Sequence, residues 1–282
     1  MNQRKSLKEL NLLDKFLFDE AMDDPENVKT MLDIILSQNT NLKHPPQTEK
    51  EQRTSTDNRQ IRLDVYAIDE DDVIYEVEAQ KENTHNLPKR SRLYQGIIDS
   101  KLLPPGVVDF NLLNEVLIVL ITPFDLFGYG LYRYTFQMKC EEVPELKLDD
   151  GATRIFLNTR GKHPELVSPE LIELLKYMEH STDEVSEACE SKRIQEMHRR
   201  VCQIRASEKT EVKYMQSWEE RIMIKQEGIA EGRIEGEKAL LKSLIEKKMA
   251  KKYSAEQISA MLEVDVSEVE NIMKEIQNEK YL

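Results

Sequence analysis

The distribution of proline divides this sequence into two parts of different structural character. All ten prolines lie at or before Pro169, whereas the rest of the chain has none and is rich in Glu, Lys, Ile and Met, which is typical of helices. Residues before 180 include β-branched and aromatic runs that favour strands. We therefore predict an α/β domain over residues 1–180, a helical linker over 181–246 and a small helical module over 247–282.

Length and charge exclude several classes of protein. The chain has 282 residues, of which 39% are hydrophobic, and its formal net charge is −13. This apolar content is sufficient for one or two cores, so disordered and collagen-like chains are excluded. The acidic excess argues against a protein that is basic throughout and coats nucleic acid. A DNA partner would therefore need a local basic site.

The sequence predicts a soluble, cytoplasmic protein without a membrane span. The longest aliphatic run, residues 116–121, is much shorter than the about 20 residues of a membrane helix. The N-terminal segment has no apolar stretch that resembles a signal peptide. Cys140, Cys189 and Cys202 form no zinc or redox pair by spacing, which suits a reducing compartment. We interpret all three as small buried side chains.

Hydrophobic spacing predicts most elements of the first domain. Helical spacing occurs in residues 10–22 and 28–36, a loop that can include one edge strand covers 41–58, and strands are predicted at 115–122 and 131–138. The strand at 115–122 is apolar throughout, which indicates a buried, central position.

Two alternating segments, residues 61–67 and 74–80, predict a β-hairpin with an acidic turn. Their apolar residues share one face, and the other face carries Asp64, Glu76 and Glu78. An antiparallel sheet often has one solvated face, and in that case these carboxylates are surface residues. Alternatively, Asp64 and Glu78 bind Mg²⁺ or Mn²⁺, which prefer oxygen ligands and promote hydrolysis of phosphate esters.

The sequence around this hairpin resembles the PD-(D/E)XK nuclease superfamily, and within it the branch of recombination-promoting nucleases and putative transposases. The resemblance rests on Asp64, on the segment Tyr-Glu-Val-Glu-Ala-Gln that ends at Gln80, and on ordered landmarks at residues 12–22, 87–95, 127–136 and 148–159. It implies an α/β fold with a restriction-endonuclease-like core, in which helices flank a mixed sheet. It also implies metal-dependent cleavage of DNA phosphodiesters in recombination or mobile-element biology.

The resemblance assigns a role to each site residue. Asp64 and Glu78 are the metal-binding carboxylates, and Gln80 stands where the wider superfamily has Lys. An amide can hydrogen-bond but supplies no positive charge, so Gln80 indicates either a variant active site or a loss of activity. Glu20 resembles an auxiliary catalytic acid of the family. The alternative interpretation is that Glu20 is an ordinary exposed residue of a helix. Lys81 is expected on the opposite face of the strand.

A short basic segment follows the hairpin. Lys89, Arg90 and Arg92 lie near the start of a helix that Pro88 is expected to open, with Leu93 on its buried face. The three cations predict a site for DNA phosphates beside the metal. The alternative is that they are surface charges that balance the acidic hairpin.

The helical tail contains a Glu-Gly repeat. Gly228, Gly232 and Gly236 are four residues apart and form a ridge on one helix. Glycine destabilises a helix, so a close contact with a second helix is expected to compensate. Homodimerisation through this ridge is one hypothesis, and a flexible helical linker is the other.

The last predicted module has two capping-box sequences, which begin at Ser254 and Ser267. The two helices that follow resemble a helix-turn-helix. The acidic residues Glu268, Glu270 and Glu275 of the second helix would repel phosphates. A packing or oligomerisation module is therefore favoured over a DNA reader.

Together these features predict a metal-dependent DNA endonuclease. Two other functions remain open: a catalytically silent nuclease fold that binds DNA as an accessory, and a non-enzymatic protein-interaction scaffold. The silent fold is suggested by Gln80, and the scaffold by the acidic charge and the helical tail.

Overall fold

The computed structural model of the protein describes residues 4–52 and 61–279. The chain forms two compact units, of which the first ends at Tyr214 and the second begins at Met215. The first unit combines a sheet with helices, and the second is helical. The predicted α/β class and the helical C-terminal region are thus confirmed.

The first unit contains a mixed sheet, which has six strands in the described residues. The strands are β1 (Gln47–Gln52), β2 (Ile61–Ile68), β3 (Ile74–Ala79), β4 (Val116–Thr122), β5 (Arg133–Phe136) and β6 (Ala152–Asn158). Their order in the sheet is β1-β2-β3-β4-β6-β5. β3, β4 and β6 are parallel to one another, and the other neighbouring pairs are antiparallel.

Helices flank this sheet and dominate the C-terminal part of the described chain. They are α1 (Lys15–Met22), α2 (Pro25–Leu36), α3 (Leu87–Asp99), α4 (Pro169–Glu179), α5 (Asp183–Ala188), α6 (Lys192–Ala206), α7 (Glu208–Met249), α8 (Ala255–Leu262) and α9 (Val266–Glu279). None of the helices in the described part of the chain is long and apolar enough to cross a bilayer.

Apolar side chains cover both faces of the sheet. On one face, Val77 and Val119 pack in a cluster with residues of α1, α2, α4 and α6. On the other face, Ile118 packs with Tyr94 and Ile98 of α3. β4 contributes to both clusters because it lies inside the sheet, and this explains its continuous apolar run. The predicted buried central strand is confirmed.

The hairpin and the basic helix are also confirmed, with one difference. β2 pairs antiparallel with β3, and Val65 lies opposite Val77. α3 begins at Leu87, but Leu93 is 41% exposed and Tyr94 is buried in its place. Leu87, Tyr94 and Ile98 recur at helical spacing, so they set the buried face and leave Leu93 to one side.

The first unit extends beyond the boundary predicted near residue 180. Ile194, Met197 and Val201 of α6 are buried in the same cluster as α1 and α2. α6 is rich in Lys and Arg, so few of its residues are apolar, and its sequence gives only a weak signal that one face is buried. The helices α5 and α6 belong to the α/β unit because this buried face completes its core.

The second unit has a small core of its own. Ile245 of α7, Ile258 of α8 and Val269 of α9 are buried together. Elsewhere on α7, a Cβ added at Gly228, Gly232 or Gly236 would meet no atom of the described chain within 4 Å. The glycine ridge is thus open within one chain, and homodimerisation through it stays a prediction.

One of the two predicted capping boxes is confirmed and the other is wrong. Ser254 caps α8, and its hydroxyl accepts from the backbone N–H of Gln257 at 3.3 Å. Ser267 lies inside α9, and its N–H donates to Asp265 at 2.8 Å. Asp265 takes the capping position because its carboxylate reaches the first turn from two residues earlier.

We expect Ser254→Ala to destabilise α8 by about 1 kcal/mol, the usual effect of losing an N-cap. Ser267→Ala is the matched control and should have a smaller effect, because Asp265 remains in place. Amide hydrogen exchange within α8 and α9 measures both changes. Equal acceleration of exchange by the two substitutions would contradict the assignment of the caps.

Candidate active site

A cluster of carboxyl groups lies where β2 and β3 meet α1 and α3. Asp64, Glu76 and Glu78 are 6%, 0% and 7% exposed, respectively. The interpretation that they are residues of a solvated face is therefore wrong. Burying several carboxylates is unfavourable unless cations or hydrogen bonds compensate them, so their partners decide what the cluster can do.

The alternation of apolar residues in β2 breaks next to Asp64. Val65 and Ala67 pack on the face of α1, as expected, but Ile61 and Leu63 pack on the face of α3. The change of face occurs at Asp64, where the pairing of β2 with β3 also ends. The predicted common face for all four apolar residues is thus wrong in the first half of β2.

The edge strand β1, which pairs with β2, has an irregular backbone next to this change of face. Its register places Glu49 across from Asp64. Glu49 has a φ of 47°, a left-handed conformation that is uncommon for residues other than glycine. A local irregularity of this kind bends a strand and redirects a side chain, as β-bulges do.

Helix α1 supplies a cation to the cluster. The ammonium of Lys15 forms an ion pair with Asp64 and a second one with Asp19 at 3.1 Å. Burial opposes the charge of Lys15, but Asp64 and Asp19 together raise its pKa. Burial raises the pKa of Asp64, and it raises the pKa of Asp19 to about 7, although Lys15 lowers both.

Helix α3 supplies the second cation. One guanidinium nitrogen of Arg90 binds Glu78 and also donates to the side-chain oxygen of Gln80 at 2.8 Å. The amide nitrogen of Gln80 donates to the backbone carbonyl of Glu82 at 2.7 Å. Gln80 is therefore held at the edge of the cluster with its orientation fixed by two hydrogen bonds.

Glu76 is the fully buried carboxyl group of the cluster. No described residue hydrogen-bonds to either of its carboxylate oxygens, and one oxygen of Glu78 is also unpaired. Burial, together with the charges of Glu78 and Asp64, raises the pKa of Glu76 well above its usual range. Burial and the charge of Asp64 raise the pKa of Glu78 to about 7.

We refer to Asp19, Asp64, Glu76 and Glu78 as the carboxylate cluster. Within the described residues, its direct ion-pair partners are Lys15 and Arg90, with Glu49 also 3.9 Å from Lys15. Carboxylates therefore outnumber the cations that touch them. Burial is the main cause of the raised pKa values, and this deficit of positive charge leaves the effect of burial uncompensated.

Other residues named from the sequence lie outside the carboxylate cluster. Glu20 forms an ion pair with Lys213 at 2.8 Å, and Lys81 pairs with Asp14 at 2.6 Å. α1 thus brings Asp19, rather than Glu20, to the cluster. Lys89 and Arg92 are exposed on α3, whereas Arg90 is turned inward.

An open cavity of about 420 Å³ adjoins the cluster at Arg90. Its lining is mixed, with three basic side chains: Ile61, Arg62, Asn86, Lys89, Arg90, Leu93 and Tyr94. The guanidinium of Arg90 borders both the cavity and the carboxylate cluster. An anionic ligand in this cavity would meet positive charge first and the carboxylates next.

Comparisons of the chain with protein-family models, with curated proteins and with solved structures found no match. The sequence analysis missed Lys15 and Asp19. Their spacing of four residues is the only signal in the sequence, and it is the same as that of an ordinary surface ion pair on a helix.

Proposed function

We propose that this protein is a metal-dependent DNA endonuclease of the PD-(D/E)XK type. The observation that carries the proposal is the unpaired carboxylate of Glu76, which is buried close to Asp64 and Glu78. A buried, ionised carboxylate without a partner is strongly unfavourable, so such a group needs either a bound cation or a bound proton. The resemblance of the sequence favours the cation.

The donor set fits a hard divalent cation. Asp64, Glu76 and Glu78 offer oxygen ligands only, which suits Mg²⁺ or Mn²⁺ rather than a softer metal. Asp64 and Glu78 would hold the ion, and Glu76 would add a third carboxylate. When bound, such an ion lowers the pKa of a coordinated water and offsets charge on a phosphate.

Lys15 can supply the positive charge that Gln80 lacks. Its ammonium lies against Asp64 and can donate hydrogen bonds to a water or to a phosphate oxygen. Arg90 holds Glu78 and Gln80 in place and borders the basic cavity. The exposed Lys89 and Arg92 can contact the DNA backbone, which positions a duplex without reading its sequence.

We expect Lys15→Ala to reduce the rate of DNA cleavage by about 100-fold, because one preorganised charged donor is commonly worth that much. Lys81→Ala is the matched control. Lys81 directly follows Gln80 but pairs with Asp14 outside the cluster, so its loss should change the rate less than about threefold. Single-turnover cleavage rates measure both. A larger effect of Lys81→Ala would contradict the role given to Lys15.

A second candidate function is a catalytically silent nuclease fold that binds DNA. Lys15 and Arg90 bind Asp64 and Glu78 directly, and these ion pairs can stabilise the two carboxylates without a metal. In that case the basic cavity would still bind phosphates. Under either proposal, the resemblance places the protein in recombination or in the biology of mobile elements.

Plasmid nicking by the full chain, with Mg²⁺ or Mn²⁺ and with EDTA, separates these functions when DNA binding is measured in parallel. Metal-dependent nicking is the result expected of the endonuclease. Binding that is weakened by salt, without any nicking, would support the silent fold. Absence of both would contradict the two proposals together and favour a protein-interaction scaffold.

A further inference from the structure

A second group of metal-ligating side chains lies on α5 and α6, outside the carboxylate cluster. Asp183 begins α5, and His198 and Cys202 are one turn apart on α6. One ligand atom from each of the three residues lies within 4.8 Å of the other two. The sequence analysis treated Cys202 as a small buried side chain, but it is half-buried and faces a histidine and a carboxylate.

The distances among these atoms approach those of a tetrahedral zinc site. Nε2 of His198 lies 2.7 Å from Oδ1 of Asp183 and 3.4 Å from Sγ of Cys202, and Sγ lies 3.9 Å from Oδ1. Ordinary zinc–ligand bond lengths in a tetrahedron separate such atoms by about 3.4 to 3.6 Å. The separation of the sulfur from Nε2 already fits, whereas Oδ1 of Asp183 would move several tenths of an ångström away from Nε2 and a few tenths toward the sulfur.

Tyr177 fixes the orientation of the histidine ring. Its hydroxyl lies 3.0 Å from Nδ1 of His198, and its side chain is fully buried. A hydroxyl can accept a hydrogen bond from Nδ1–H as readily as it can donate one. At 2.7 Å, Nε2–H donates to the carboxylate of Asp183, and a metal ion would replace this proton. The hydroxyl of Tyr177 can then accept from Nδ1–H, the arrangement in which metal-binding histidines are normally supported.

The position is accessible from solvent. The side chain of Asp183 is 79% exposed, whereas that of His198 is 9% exposed. Asp183 also lines an open cavity of about 410 Å³. A metal ion can thus reach the buried imidazole from the side of Asp183, and a water could complete four-coordination there.

We propose that Asp183, His198 and Cys202 form a binding site for Zn²⁺. The mixture of thiolate, imidazole and carboxylate suits a borderline cation, unlike the all-oxygen donor set of the carboxylate cluster. The two sites therefore select different metals. The ion would link the first turn of α5 to α6 and stabilise the helices that complete the core of the first unit.

Cobalt titration of the full chain tests this site by a signal that depends on sulfur. Co²⁺ bound through Cys202 should give a thiolate-to-metal absorption band that saturates at one ion per chain, and Zn²⁺ should remove the band. Cys202→Ser and His198→Gln should abolish it. Cys140→Ser is the matched control and should retain it, because the thiol of Cys140 hydrogen-bonds to Glu142 and is not part of the Asp183, His198 and Cys202 group. Co²⁺ at the carboxylate cluster cannot give this band, since that cluster has no sulfur.

Alkylation of the wild-type chain is a second readout that requires no variant to fold. Zn²⁺ should slow the alkylation of Cys202 by about tenfold or more, since a coordinated thiolate is not free to react, and should leave Cys140 unchanged. No cobalt band and no protection would mean that the three residues form only a hydrogen-bonded network. A band that survives Cys202→Ser would also overturn the proposal.

Discussion

Replacement of Asp64 by Ala is expected to reduce metal-dependent DNA cleavage by at least about 100-fold, because loss of a metal ligand should exceed the 10- to 100-fold effect of losing a residue that only orients one. Asp64 is buried and lies beside Glu76 and Glu78, so its removal leaves a vacancy that solvent cannot easily fill with an equivalent ligand. Glu78→Ala should have an effect of the same order. Plasmid nicking under saturating Mg²⁺ measures both.

Asp71→Ala is the matched control for these substitutions. Asp71 belongs to the turn of the same hairpin and is exposed, so its loss should leave the rate within about threefold of wild type. Circular dichroism spectra of all variants should overlap, because Lys15 keeps its ion pair with Asp19 and Arg90 keeps its hydrogen bond to Gln80. Cleavage at the wild-type rate by Asp64→Ala would remove the proposed mechanism.

The second large effect concerns the pH dependence of stability. Paired carboxylates usually make a protein less stable in acid, whereas these buried ones should make it less stable as pH rises. The pKa values of Asp19 and Glu78 are raised from about 4 to about 7 in the folded chain, and that of Glu76 is raised well above its usual range, mainly by burial. Between those pH values the folded state binds more protons than the unfolded state. The free energy of unfolding of the metal-free protein should therefore fall as pH rises from about 4.5 to about 7, by up to about 1.4 kcal/mol per pH unit for each group.

A bound divalent cation should restore the stability that is lost at neutral pH. It favours the ionised carboxylates, so Mn²⁺ should stabilise the protein more at pH 8 than at pH 5. At roughly 100 times Kd the gain is about 3 kcal/mol. Chemical denaturation in EDTA and in Mn²⁺, repeated across this pH range, measures both effects.

Glu76→Gln tests whether Glu76 contributes to the pH dependence of stability and to the stabilisation by Mn²⁺. The amide preserves the shape of the side chain and removes its titration, so the metal-free profile should become flatter and the stabilisation by Mn²⁺ smaller. Asp71→Asn, an exposed substitution on the same hairpin, should change neither. Stability in EDTA that rises between pH 5 and pH 7 would contradict the charge deficit described for the carboxylate cluster.

The sequence predicts the fold where the signals are local. The alternation of β2 and β3 and the acidic turn between them define the hairpin, and the apolar run of β4 defines its central position. The start of α3 follows from Pro88, which lies in its first turn. Each of these features depends on residues that are close together in the chain.

The features that were missed depend on residues that are far apart. The change of face at Asp64 accompanies an irregularity in β1 at Glu49, which the pattern of β2 alone does not contain. The placement of α6 in the first unit depends on its contacts with α1 and α2. The cap of α9 is a local exception, because Asp265 lies two residues before Ser267 and takes the capping position of the same turn.

In the candidate site, too, local features could be predicted from the sequence and those that depend on distant residues could not. Its carboxylates could be named from the hairpin, since alternation places Asp64, Glu76 and Glu78 on one face. Their burial, and the cations that contact them, come from the packing of α1 and α3. Lys15 lies 49 residues before Asp64 in the chain, and no spacing rule links a helix to a strand over that distance.

Anomalous diffraction from crystals soaked in Mn²⁺ tests the central claim most directly. The claim predicts a peak at the manganese absorption edge among the carboxylates of Asp64, Glu76 and Glu78, with Lys15 or Arg90 shifted away from its present partner. The peak should be absent from crystals of Asp64→Ala grown and soaked in the same way. Wild-type crystals without a peak at this position, in which Lys15 and Arg90 keep their ion pairs, would contradict the claim that the carboxylate cluster is a metal site.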